Sequence, residues 1–271
     1  MQPLSDRSAL LTNRARAAKA GTVDFLHAAA IDEVQDRAAM VNKSFKQIAI
    51  VTGHSDLWQA AFPSAKIVSD DDTLALDAGA HDLVIHAMAL HWASDPVGQL
   101  IQCRRALQPD GLLLAIAPGG QTLHELRACL AEAEIGRTGG LSPRVAPMGE
   151  VRDLGALLQR AGLALPVADT VPLRAVYPNA LALMHDLRGM GEGNAMTGRQ
   201  RTMTPRGLLT DAAARYAEAF SAPEGGVEAT FELIALTGWA PDASQPQPLR
   251  PGSATARLAD ALGTDETKLR D

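Results

Sequence analysis

Aromatic residues make up only 4% of this 271-residue chain, and it has two cysteines. The first scarcity leaves few stacking platforms for unpaired bases, so single-stranded nucleic acid is not an expected partner. Cys103 and Cys129 lie in stretches that read as helices, with no Cys or His at zinc-site spacing beside them. That excludes a disulfide framework and a zinc module, and it fits free thiols in a reducing cytoplasm. Basic charge is also short: a formal net charge of -6 repels a phosphate backbone on average. No run approaches the ~20 apolar residues of a membrane span, so no transmembrane segment is expected. The opening segment lacks an apolar stretch followed by a small-residue cleavage site. Its "NRARAAKAG" has the arginines of a transit peptide, but Asp6, Asp24, Asp32 and Glu33 argue against one. The expectation is a soluble, untargeted, cytoplasmic chain.

What is present is enough for one substantial core: 46% of residues are hydrophobic and 21% charged. Residues 6–41 carry Phe25, Leu26, Ala29, Val34 and Ala38 at helical spacing, broken by Gly21, and predict two helices padding the outside of the core. "QIAIVTG", "AKIVSD", "HDLVIHAMAL" and "DGLLLAIAP" are short apolar runs that predict buried parallel strands. Between the last two, "SDPVGQLIQCRRALQ" predicts a helix capped by Ser94 or Asp95. Alternation of this kind gives an α/β fold, a mostly parallel sheet with helices on both faces and ligands outside the carboxyl ends of its strands. Further on, "TLHELRACLAEAEI" and "VRDLGALLQRAG" predict helices, and "LALPVADTVPLRAVYP" an extended segment with edge prolines. Residues 179–220 predict a helical cover interrupted by "GMGEGNAMTG", and "VEATFELIALTGWAP" a last strand. The Pro-, Gln- and Ser-rich tail that follows is expected to be an extended arm. The organisation is therefore N-terminal helices (1–41), a Rossmann-like core (42–177), a helical cover (178–225), and a last strand with its tail (226–271).

Several positions carry chemistry and also have plainer explanations. Gly53 is either a glycine beside a ligand or an ordinary strand-to-helix turn. Asp70-Asp71-Asp72 suits a polar ligand or a helix cap. His81, His86 and His91 recur at intervals of five, which fits no usual ligand spacing, so no metal site is expected. His91-Trp92 follows a strand's carboxyl end, as a site pair or a packed one. In "GGQTLHELR", Glu125 begins a helix whose exposed amides suit an anion or a simple cap. "MHDLRGMGEGN" gathers Asp186, Arg188, Glu192 and Asn194 around glycines that predict a mobile cover. No Walker loop, HExxH, CxxC or Ser-His-Asp order occurs, which sets aside kinase and hydrolase chemistry.

From Asp82 onward the chain resembles the methyltransferase-like complex I assembly factors of mitochondria and their bacterial relatives, within the class I S-adenosylmethionine (SAM) methyltransferases. The resemblance rests on "LVIHAMALHWASDP", "RRALQPDGLLL", "GGQTLHELRACLAEAE", "GGLSPRVAPM", "YPNALALMHDLRGMGEGNA" and "GWAPDASQPQP". It implies the class I methyltransferase fold. It also implies SAM as the cofactor, if any is used, held by Gly53, Asp70, Asp71, Ala87 and Met88. His91, Glu125, Arg144, Asp186, Arg188, Glu192 and Asn194 are then the residues facing a substrate or client.

The first half departs from that pattern. The class places a Gly-rich turn after its first strand, because bare backbone can approach the methionine part of SAM closely. Here the turn is Thr52-Gly53-His54-Ser55, with one glycine. Gly53 and Asp82 are 29 positions apart, whereas two further strand–helix units need about 60 residues. One unit is therefore missing. The spacing of Asp70 to Asp82 suits loss of the ribose-binding strand, with Asp70 on the adenine side; the alternative makes Asp70 the ribose carboxylate and deletes the third unit. Two functions follow. One is a degenerate methyltransferase fold, a pseudoenzyme serving as assembly factor for a respiratory complex I subunit. The other is an active SAM-dependent methyltransferase on a protein side chain or small molecule.

Overall fold

Strand alternation builds two apolar layers. The computed structural model describes residues 3–246 and 263–264. In β1 (Ile48–Thr52), Ile50 faces one layer while Ala49 and Val51 face the other, all fully buried. β3 (His81–Ala87) repeats the division with Ile85 against Val84, and β4 (Leu107–Pro118) with Leu114 against Leu113. With β2 (Lys66–Val68), β5 (Ala164–Tyr177) and β6 (Val227–Trp239), they form a six-stranded sheet in the order β2-β1-β3-β4-β6-β5. The pairings among β1 to β4 are parallel, and β6 runs antiparallel to both β4 and β5.

One layer packs α2 (Phe25–Met40), α5 (His124–Thr138), α7 (Ala180–Gly189) and α8 (Arg206–Ala219) onto the sheet through Leu26, Leu126, Leu183 and Tyr216. The other packs α4 (Pro96–Ala106) and α6 (Val151–Arg160) through Leu100, Cys103 and Leu158. Asp95, rather than Ser94, caps α4: its side chain accepts from the Gly98 amide.

The shortening falls on a definite unit. After β1, the short helix α3 (Ser55–Ala61) leads to β2, which lies directly beside β1. The doubly wound order 3-2-1-4-5-6 is thus missing its outermost strand. Residues 69–80 then cross over β1 to reach β3 without a helix, close to the dozen residues that a parallel crossover needs. Asp70 therefore follows the strand next to β1, the place the ribose carboxylate takes in the doubly wound order. Distance along the chain could not distinguish the ribose side from the adenine side, because only strand neighbours identify the unit.

The chain divides into units Met1–Pro241 and Asp242–Asp271. In the second, the backbone amide and hydroxyl of Ser244 bond to the Asp242 carboxylate in a tight turn. Most of the expected extended arm lies outside the described residues.

Candidate functional site

Helix α1 (Arg7–Ala20) lies against the carboxyl ends of the strands instead of padding the outside of the core. Its inward face carries Arg7, Leu10, Arg14 and Ala17, a three-and-four-residue spacing that stacks them along one side. Leu10 packs with Trp92, Ala195 and Met196. Arg14 is 6% exposed, and its Nη1 donates to both Asp70 oxygens at 2.9 and 2.8 Å. Nη2 of Arg7 donates to Asp70 and to the exposed Asp71, each at 2.8 Å. Burial alone would raise the Asp70 carboxyl, but the two guanidinium groups outweigh it and lower its pKa. The same arginine occupies the open side of Gly53, where an added Cβ would come within 2.0 Å of Arg14 Nη1. The glycine after β1 thus admits a guanidinium.

This geometry tests the implied cofactor. Ribose hydroxyls would need the Asp70 oxygens as acceptors: Oδ1 already accepts from both Arg7 and Arg14, Oδ2 accepts from Arg14 and keeps one lone pair, and the two guanidinium groups stand on the side a ribose would approach. The methionine end would need the bare face of Gly53, which Arg14 fills. The residues do not fit SAM in this arrangement. Ala87 is fully buried at the end of β3, and Met88 adopts a left-handed backbone (φ 52°) with its amide bonded to the Ile116 carbonyl.

Beside this cleft lies a second cluster. Glu192 accepts from His91 Nε2 at 3.1 Å and from Trp92 Nε1 at 2.6 Å. A carboxylate only accepts, so His91 carries its proton on Nε2. Burial would raise the Glu192 carboxyl, but His91, Arg14 and Trp92 hold it down at about 2. The glycines around it, expected to make the cover mobile, are a packing surface: a Cβ on Gly191 would meet the Arg14 Cα at 3.1 Å, and one on Gly189 the Val23 side chain at 2.6 Å. Close approach of α1 requires Gly191, and that of the segment after α1 requires Gly189.

A cavity of about 190 Å³ adjoins this cluster, walled by Leu126, Met184 and Phe231. Five of the singled-out residues, His91, Arg144, Arg188, Glu192 and Asn194, line it. Two of these are also structural ties. Arg144 clamps Glu134 with two bonds of 2.9 and 2.8 Å, holding that carboxyl at about 2. Asn194 donates to the Pro143 carbonyl at 2.9 Å. Glu125 and Asp186 are elsewhere: Glu125 is buried and receives the amide and hydroxyl of Thr230, pinning α5 to β6. Asp186 faces Tyr177, whose hydroxyl is pushed up to about 12 by burial and by that carboxylate.

Arg14 and His27 were not prominent in the sequence. Trp58 Nε1 donates to His27 Nδ1 at 3.1 Å, and the His27 and His54 rings lie 4.4 Å apart. Burial, then the neighbouring His54, lowers His27 to about 3, and burial with Arg14 lowers His54. The available signal was polar residues on the inward stripe of each N-terminal helix.

A parallel β2-β1-β3-β4 core with an antiparallel β6-β5 pair, and a cleft at the carboxyl strand ends, defines the class I methyltransferase fold. Residues 21–115 match the family model described as a methyltransferase domain. The chain is 37% identical over 198 residues to "Arginine-hydroxylase NDUFAF5, mitochondrial" of Danio rerio, covering 73% of this chain and 61% of that protein. It is 34% identical to "Malonyl-[acyl-carrier protein] O-methyltransferase" of Methylovorus sp., over 65% of this chain and 57% of that one. Among solved structures, a Bacillus halodurans protein described as a methyltransferase superposes with a TM-score of 0.49 at 14% identity, covering 78% of this chain and 99% of that one. The chain is similar to NDUFAF5-like proteins and has the class I SAM methyltransferase fold. It spans about three-fifths of the length of the curated relatives it matches.

Proposed function

We propose that this chain is a binding or assembly factor for a subunit of respiratory complex I, built on a methyltransferase fold whose SAM site is out of use. The observation that carries this reading is the buried Arg14–Asp70 pair beside Gly53. It commits the two principal cofactor residues to holding the protein's own helix. Similarity to NDUFAF5, together with the family resemblance, supports a protein client. The client surface is the cover made by α7 and the loop after it, where Arg188 and Asn194 rim the cavity. The setting is a reducing cytoplasm, in which Cys103, pushed up to about 12 by burial, stays an inert thiol.

The cavity beside His91 favours a second reading, methyl transfer to a protein side chain or small molecule, in which His91 and Arg144 orient the acceptor. Isothermal titration of the full chain with SAM separates the two. The first reading expects no saturable binding below about 1 mM, and a micromolar Kd favours the second. In cells lacking the gene, the wild-type chain should restore complex I on native gels and Arg188→Glu, at equal protein level, should not. Full assembly without the gene overturns the proposed role.

A further inference from the structure

We propose that α1 is a displaceable lock on a nucleotide cleft that is otherwise still formed, and that Arg14 is the residue that closes it. The inference rests on assigning the ends of β1 and β2 to the SAM cleft, but it goes beyond disuse: it says that exclusion comes from one helix and is reversible.

Three observations carry it. First, the cleft persists beside the lock. A space of about 640 Å³ remains at the ends of β1 and β2, bounded by Thr52, Gly53, Ser69 and Asp70 on the sheet side and by Leu11 and Arg14 on the helix side. The acid and the glycine are therefore in place, and what covers them comes from α1. Second, α1 precedes the matched methyltransferase domain, which begins at residue 21. The helix therefore lies ahead of the matched domain and joins it through Gly21 at φ 94°, a left-handed backbone that glycine adopts without strain.

Third, the seat is weak for a buried helix. Its fully enclosed apolar side chains are Leu10 and Ala17. Apart from the half-buried Ala9, the rest of the attachment is mostly polar and includes Asn13 to the Gly193 carbonyl at 3.0 Å, the Asp6 amide to the Ala195 carbonyl at 2.7 Å, the Asp6 carboxylate to Arg199 at 2.9 Å, and the ion pairs of Arg7 and Arg14. Arg14 is also incompletely satisfied, since its Nε and Nη2 are buried and meet no acceptor among the described residues. Little apolar contact and a partly unsatisfied buried cation mark a segment that opens more readily than the sheet beneath it. With α1 displaced, Asp70 is freed as an acceptor and the face of Gly53 becomes bare.

The test is calorimetric titration of the full-length chain with SAM, comparing wild type with Arg14→Ala and Ala17→Leu. The first variant removes the guanidinium. The second overfills the buried side of α1 and levers the helix away without touching Arg14, Asp70 or Gly53. The expected result is no saturable binding by wild type below about 1 mM, with both variants at least about thirtyfold tighter than that limit. If Arg14→Ala does not melt cooperatively, Ala17→Leu decides alone. Two folded variants that bind no better than wild type overturn the lock while leaving the proposed binding role standing. A micromolar Kd for wild type overturns the lock and the disused-site reading together.

Discussion

Replacing Asp70 with Asn probes the pair on which the site depends. The Asp70 side chain is 3% exposed and Arg14 6%, so the substitution leaves a buried guanidinium without its anion. Removing one partner of such a pair costs about 3–5 kcal/mol, because the remaining charge keeps its desolvation penalty. Arg7, 33% exposed and already bonded to Asp71, can turn outward and adds little. The low end of the range, about 3 kcal/mol, is the expectation, since Asn still accepts one hydrogen bond. At an m-value of about 3 kcal/mol per M, the urea midpoint should fall by about 1 M. The double variant Asp70→Leu with Arg14→Met removes both charges, and apolar replacements of buried pairs are often neutral. It should recover most of the loss. A fall of less than about 0.3 M for Asp70→Asn, or a double variant as unstable as the single one, would refute the claim that this pair is desolvated and holds α1 in place.

Gly53→Ala should destabilise the wild-type chain, since its Cβ would lie 2.0 Å from Arg14 Nη1, and should be nearly neutral in an Arg14→Ala background; thermal melts of the four proteins give the coupling, and additive effects would contradict the contact. His27 is lowered from 6.5 to about 3, so the unfolded chain takes up a proton that the folded chain refuses, and stability present above pH 6.5 is lost as the pH falls toward 3. His27→Asn, which keeps an acceptor for Trp58, should lessen that slope by about 1.4 kcal/mol per pH unit below pH 6. A denaturation profile parallel to wild type would show that His27 does not titrate on unfolding. Glu134 acts in a separate window. Its carboxyl is held at about 2 against an ordinary 4.5, so Arg144→Ala should remove stability above pH 4.5 and converge on wild type as the pH falls to 2.

Much of the fold was legible because its strands are buried on both faces and read as unbroken apolar runs, "QIAIV" and "LLLAIA" above all. The missing unit was legible as a length, 29 residues from Gly53 to Asp82. Its identity was not, because which strand lies beside β1 is a fact of topology. The cavity residues were legible in part. His91, Glu192 and Asn194 follow strand or helix ends where ligand groups gather, and they do line one space. Glu125 and Asp186 have the same chemistry and similar local positions, yet they bond to Thr230 and face Tyr177. Only the direction of the helix face distinguishes the two sets.

The N-terminal helix explains why the cofactor residues were harder to interpret. An arginine at the third place of the Arg7, Leu10, Arg14, Ala17 stripe reads as a solvated charge, since arginine is rarely buried without a partner. Its partner is 56 positions away, beyond anything local periodicity can report. The same isolation applies to the single glycine. Gly53 alone is compatible with a cofactor, a turn or a guanidinium, because each asks only that no Cβ be present. What decides among them is the neighbour that fills the space, and here it is Arg14. A lone glycine and a lone carboxylate at the class positions therefore do not imply a working site. They are equally the requirements for docking a basic helix across the strand ends, which is the use this chain makes of them in the structure.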